Sequence, residues 1–483
     1  MTDNKTSFND HYLQHLIALA ERYPMVVSFD IHCSSREIPY TAGTPIEGHQ
    51  LQTLVGRTLI QPIGMNISIP ATFNAQELER KITDYFLRDP VLHELYQLVD
   101  LTAIQRMAAE RLCEQESLAQ YLWVMSRRLP KHFERALFCA WTAAALGVRR
   151  NKSTEQILES FMAGIVHDIG LLLIPEFALN EHQDLSAADW LQMMRHPAIG
   201  YELLSFLPNV PVQVARAVLE HHEEMDGSGY PAHKIAKQLS PLGQLVHLLD
   251  GIHAIYVKYF QSRGRTLHDL IPIIQMNQLS RPGFAAADLV LLLRNCTASE
   301  SCSIPEELMP VFILQVRERH QYINRFVEQA EIFVEQNQMS VANARIYSLS
   351  CLLEHICIAM KQSGLINDAY MRWLDQVESE HLKHAYREVE DVFLMMQEIL
   401  FHIQRFMLRL GELVEEDETT VTELTPIWAP AKTIALIEGR DNAVERKTSN
   451  KESLVNFGKQ STPTIPAELH ELWLTQVRQI KQL

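Results

Sequence analysis

Over most of the chain apolar residues recur at every third or fourth position, and the stretches that break this rhythm mark its divisions. Residues 8–22 (FNDHYLQHLIALAER) have the helical spacing, which stops before Pro24. From Tyr23 to Ala71 short β-branched runs are separated by Ser34-Ser35, Ala42-Gly43-Thr44-Pro45 and Pro62-Ile63-Gly64, a pattern that predicts hairpins and a short helix. Helical spacing returns from Asn74 to about Cys113. From Glu114 to Cys296 it predicts helix after helix, divided by Pro130, Gly147, the Gly229-Tyr230-Pro231 segment and Pro241. From Pro305 to about Leu413 the spacing predicts three or more long helices, the second running from near Ser340 to a left-handed cap at Gly364. Residues 414–463 lose all periodicity and are rich in charge, Thr and Ser, as in a flexible linker. An amphipathic helix is then expected from Pro466, with Leu469, Trp473, Val477 and Ile480 on one face.

The fold class expected is therefore mainly α. A small mixed α/β domain (1–112) precedes a central helical domain (113–303), a C-terminal helical bundle (304–413) and a linker with a terminal helix (414–483). The length, 483 residues, agrees with several folded units at roughly 150 residues each. Hydrophobic residues at 47% and charged residues at 21% are globular proportions.

A net charge of -16 argues against a broad basic surface for a nucleic-acid polymer, so any phosphate must be met locally by metal or by a few placed cations. The seven cysteines form no CxxC pair, which suits a reducing cytoplasm. The first residues, MTDNKTSFNDHY, lack the basic and apolar regions of a signal peptide. Apolar windows such as Ala136 to Val148 and Ala285 to Leu293 fall short of about 20 residues, so no membrane span is expected.

The candidate chemistry lies between His132 and His253, which hold 9 of the 21 histidines. An isolated histidine on an apolar helix is usually a core or surface residue, and His182, His233 and His247 are read that way. The others have company: His167-Asp168 in FMAGIVHDIG, His196 in MMRHPAIG, His221-His222 in LEHHEEMDGSGYP and Asp250 in LVHLLDG. Adjacent helical residues project about 100° apart, so a doublet serves one cavity only if its contents are broad, such as two ions about 3.5–4 Å apart. Imidazoles with carboxylates suit Fe, Mn or Zn.

These segments resemble the HD-GYP family, a branch of the HD superfamily of metal-dependent phosphohydrolases. HHEEMDGSGYP (221–231) matches the HHExxDGxGYP pattern at every defined position, and His167 to Gly170 match its HD motif. RHPAIGYELL from Arg195, KHFERA around His132 and Asp250 fit its remaining helices. The resemblance covers about 120–262 and implies an HD-type helical bundle. It implies two divalent transition ions, Fe or Mn, held by His132, His167, Asp168, His196, His221, His222 and Asp250, with Asp168 bridging and His167 and Asp168 at the catalytic centre. Gly229, Tyr230 and Pro231 would line the substrate groove.

The activity implied is hydrolysis of cyclic di-GMP by a bridging hydroxide, in bacterial second-messenger signalling. Three positions depart from the family: Leu171 stands where active members carry Lys, His253 where a further Asp is common, and Arg128 where some members place a Glu for a third ion. Two alternatives stand beside the enzyme reading: an HD-GYP-like receptor or scaffold that binds nucleotide or protein, and hydrolysis of another phosphate ester. The C-terminal bundle could serve a homodimer or a signalling partner.

Overall fold

A computed structural model describes residues 4–176, 186–225, 227, 229–261, 264–277, 285–298, 302, 304–336, 344–363 and 368–416. The linker and terminal helix expected beyond 416, and the cap at Gly364, lie outside the described residues.

The chain is divided into two compact units. The first holds Met1–Met225, Gly229–Arg263 and Leu291–Thr297; the second holds Asp226–Ser228, Gly264–Val290 and the chain from Ala298 onward. The first unit opens with α1 (Asn4–Ala20), whose Tyr12, Leu13, Leu16 and Leu19 share a buried face. Three very short strands follow, β1 (Met25–Val27), β2 (Pro45–Ile46) and β3 (Ile67–Ser68), with the short α2 (Gly48–Gln52) between the last two. They form an antiparallel sheet in the order β2-β1-β3, with Met25 opposite Ile46 and Val27 opposite Ile67.

The rest of this unit is helical: α3 (Ala75–Arg88), α4 (Pro90–Gln97), α5 (Thr102–Cys113), α6 (Glu116–Arg128), α7 (Pro130–Arg149) and α8 (Thr154–Val166), then α9 (Ala187–Met193), α10 (His196–Phe206), α11 (Val212–Glu220) and α12 (Pro241–Ile255). Their starts are written in local chemistry. Asn74 and Ser153 close capping boxes with Glu77 and Gln156, while Pro90, Pro130 and Pro241 occupy first-turn positions where no amide partner is required. Tyr12 of α1 meets Tyr121 of α6 with ring centroids 4.6 Å apart, which joins the N-terminal elements to the helices.

α7 is the axis of the unit, buried without interruption from Ala136 to Gly147. Its small residues let α8 approach so closely that a Cβ added at Gly164 would lie 2.5 Å from the Ala140 backbone nitrogen. Thr154–Leu173 is long and apolar enough by composition to cross a membrane, but 89% of its most apolar 18-residue window is buried inside the fold, where it forms the core.

The second unit contains α13 (Ile271–Met276), α15 (Met309–Gln336), α16 (Ala344–Ser363), α17 (Asp368–Ser379) and α18 (Tyr386–Glu416), and α14 (Ala285–Leu293) is divided between the units at Val290. Phe312, Val316 and Ile323 of α15, Leu353, Ile356 and Met360 of α16, and Val389, Phe393, Met396 and Ile403 of α18 are buried at helical spacing. Polar ties hold residues 265–277 to α18: Arg387 pairs with Asp269 at 2.5 Å, Arg265 pairs with Glu390, and Asn277 meets Glu398 and His402 at 2.6 and 2.7 Å.

The α7–α8 contact gives a direct test. Gly164→Ala should lower unfolding stability by about 1–3 kcal/mol through overpacking, measured by urea denaturation, while Gly56→Ala in an open turn at φ 80° should act through backbone strain alone.

Candidate metal centre

All seven expected ligand residues come together in the first unit. His132 sits in the first turn of α7, and His167 and Asp168 follow directly on α8. His196 opens α10, His221 and His222 follow α11, and Asp250 lies two-thirds of the way along α12. The reason they converge is geometric. α7 and α8 are pressed together, and the 3₁₀ turn after Asp168 (Ile169–Leu173) lies so tight on α10 that a Cβ at Gly170 would strike the His196 carbonyl and lie 2.8 Å from the Gly200 nitrogen.

The centre of the cluster is the Asp168 carboxylate, 3% exposed. One oxygen, Oδ1, lies 3.3 Å from His196 Nε2 and 3.6 Å from His221 Nε2. The other, Oδ2, lies 3.4 Å from His132 Nδ1 and 3.5 Å from His167 Nε2. Two groups of donors result. Asp168, His196, His221 and His222 form one; His167, Asp168 and Asp250 form the other, and Asp168 belongs to both.

Three imidazoles are locked in the same way. Nδ1 of His167, His196 and His221 each bonds the carbonyl three residues earlier, at Gly164 (2.8 Å), Met193 (2.7 Å) and Val218 (2.6 Å). A carbonyl only accepts, so each Nδ1 carries a proton and each Nε2 is left facing the cluster. The fully buried His167 Nε2 has no hydrogen-bond partner. This donor set of imidazole nitrogens and carboxylates fits divalent transition ions.

The charges are arranged accordingly. Burial works against ionising Asp168, yet His167 and the neighbouring imidazoles hold its carboxyl well below the ordinary range. Burial likewise opposes Asp250, and Arg135 and His167 overcome it. Burial also disfavours charge on His167, but Asp168 and Asp250 raise it to about 10. Burial drives His221 down to about 4, and burial with His221 beside it holds His222 well below the usual imidazole value. His221 and His222 are therefore neutral and both carboxylates ionised, the forms that ligation requires, while His167 holds a proton that a bound ion would displace.

The substrate-loop residues expected from the sequence also lie here. Tyr230 donates its backbone N–H to the His222 carbonyl at 3.0 Å and stacks on the His222 ring, with centroids 4.8 Å apart and planes 21° from parallel. Gly229 has no room for a side chain, since a Cβ would strike the His222 carbonyl and the Glu224 nitrogen.

Sequence reasoning missed two neighbours. Arg135, one turn after His132, pairs with Asp250 at 3.2 Å and is the guanidinium of the centre; its signal was the His-x-x-Arg spacing in KHFERA. Glu223, fully buried, accepts from the Ala232 and Lys234 amides at 2.6 and 2.9 Å and clamps the loop after Pro231; its signal was the Glu of the HHExxDGxGYP pattern, directly after His222.

Leu171 is buried in the 3₁₀ turn. Lys234, in the loop after Pro231, is engaged by Glu220 at 2.8 Å. Arg128 turns to α1, donating to His15 Nδ1 at 3.2 Å, and pairs with Glu176 at 2.8 Å; burial and that charge push His15 down to about 4. His253 bonds the Tyr85 hydroxyl at 2.9 Å, and burial and Arg135 push it down to about 3.

Residues 109–282 match the family model described as an HD domain. That segment is an HD domain. Over 184 residues, 38% of its length and 34% of the relative's, the chain is 28% identical to "3'3'-cGAMP-specific phosphodiesterase 2" of Vibrio cholerae. Over 104 residues, 21% of this chain and 28% of the relative, it is 36% identical to "Cyclic di-GMP phosphodiesterase response regulator RpfG" of Xanthomonas campestris. A "Cyclic di-GMP phosphodiesterase" of Thermotoga maritima is 29% identical over 126 residues, 26% of this chain and 33% of the relative. The chain thus spans about a third or less of the length of these curated relatives.

Within this HD domain the Glu223 clamp is testable by itself. Glu223→Ala leaves two amides without their charged acceptor and should cost about 2–4 kcal/mol of stability, with Glu223→Gln costing less because one acceptor oxygen remains; urea denaturation measures both.

Proposed function

We propose that this protein is a metal-dependent cyclic dinucleotide phosphodiesterase. The observation that carries the reading is the Asp168 carboxylate, whose two oxygens face two separate groups of donors. The names of the relatives point to cyclic di-GMP or 3'3'-cGAMP as the substrate class. His132, His167, Asp168, His196, His221, His222 and Asp250 would hold two divalent transition ions, Fe or Mn. Such ions, when bound, neutralise phosphodiester oxygens and activate water for attack on phosphorus near neutral pH.

The chain's own residues supply the rest. The Nδ1-to-carbonyl bonds of His167, His196 and His221 hold three Nε2 atoms in place before anything binds, so little ordering is left to be done on binding. Arg135 keeps Asp250 ionised and oriented. Tyr230, packed on His222, walls one side of the site against water. Attack on one phosphorus breaks its bond to the ribose 3′ oxygen, which takes up a proton, and the ring opens to a linear dinucleotide. With Leu171 apolar and buried, that proton comes from no lysine at this position.

The test is turnover of cyclic di-GMP and 3'3'-cGAMP by protein purified anaerobically and loaded with Mn or Fe. At least one should be linearised, and His167→Ala with Asp168→Ala should reduce turnover by a factor of about 10³ or more. Tight nucleotide binding by the loaded wild type without any turnover would instead establish a receptor.

A further inference from the structure

We infer that Trp190 is a nucleobase-stacking platform at the edge of the candidate site, a reading that rests on the cyclic dinucleotide substrate proposed above. The aromatic rings form a continuous series leading away from the donor cluster. His222 belongs to the donor group around Asp168, Tyr230 stacks on it at 4.8 Å, and Trp190 meets Tyr230 edge to face at 6.4 Å with planes 75° apart. In an edge-to-face pair at most one face of either ring is covered by the other, so the indole keeps a face that Tyr230 does not cover. Trp190 is half-buried, whereas His221 and His167 deeper in the cluster are fully buried.

The short helix that carries Trp190 is fixed at both ends. Ser186 and Asp189 close a capping box at its start, with Ser186 Oγ accepting from the Asp189 amide at 3.2 Å, and the Trp190 amide donates to the Ser186 carbonyl at 2.9 Å. At its end the Met193 carbonyl holds His196 Nδ1 at 2.7 Å. The end of α9 and the two-residue turn before α10 therefore set the distance between the His196 imidazole and the indole, as the sugar sets the distance between a phosphate and its base.

The chemistry of the ligand calls for such a surface. With a net charge of -16 the chain has no basic field to gather a dinucleotide, and binding strength beyond the phosphates has to come from the flat faces of the bases. Tyr230 already commits one face to His222 and also meets His196 and Trp190, so Trp190, the outermost ring of this series, is the one whose contact within it is Tyr230 alone.

The experiment compares full-length wild type, Trp190→Phe and Trp190→Ala, each loaded with Mn, by steady-state kinetics with cyclic di-GMP, by metal content, and by tryptophan fluorescence during rapid mixing with cyclic di-GMP. Trp190→Ala should raise KM about 10- to 100-fold with a much smaller change in kcat, and Trp190→Phe should restore most of the loss. Metal content should match wild type in both variants, which separates loss of a platform from displacement of His196. The nucleotide should quench wild-type fluorescence, and that quench should be absent in Trp190→Phe. An active wild type whose KM survives Trp190→Ala, or an undiminished quench in Trp190→Phe, overturns the platform alone. A loaded wild type that neither turns over nor is quenched by cyclic di-GMP overturns the platform together with the substrate reading beneath it.

Discussion

A carboxylate with 3% of its surface in contact with water has to be compensated, and around Asp168 the first unit gathers four imidazoles to do so. Taking a charge out of water costs several kcal/mol unless opposite charge or hydrogen bonds replace the solvent. This requirement organises the unit around it. α7 and α8 are packed at glycine distance so that His132 can reach Asp168, and the turn after Asp168 is pressed on α10 so that His196 can. Arg135 performs the same service for Asp250.

A second layer fixes the direction of the donors. Each of the three locked histidines uses a carbonyl of its own turn, so the orientation comes from local helix geometry and does not depend on a distant partner. The loop carrying Tyr230 is held by the His222 carbonyl and by Glu223, which ties the wall of the site to the backbone of the histidine pair. The histidine pair and the Tyr230 loop thus share one short piece of chain, 221–234.

Much of this was legible in the sequence, for reasons that differ by residue. His167-Asp168, His221-His222 and the glycines of DGSGYP are adjacent in the chain, so their joint presence and spacing carry information before any folding. The helices announce themselves by apolar period and by Ser, Asn and Pro at their starts, and the mixed texture of 23–71 resolves into a three-stranded sheet with a short helix. What could not be read was pairing across distance. Arg135 with Asp250, Arg128 with His15 and Asp269 with Arg387 join residues more than a hundred positions apart, and a single sequence has no period or motif for such contacts. Thr154–Leu173 is the converse case: its apolar run is explained by burial in the core beside α7.

The most direct measurement is the number and coupling of ions on the purified chain. Manganese-loaded protein should contain two Mn per chain by elemental analysis and give an exchange-coupled paramagnetic resonance spectrum, as a shared carboxylate requires; an Asp168→Asn chain should lose that coupling. A wild-type chain that binds no transition ion, or that holds a single ion with an uncoupled six-line spectrum, would contradict the account.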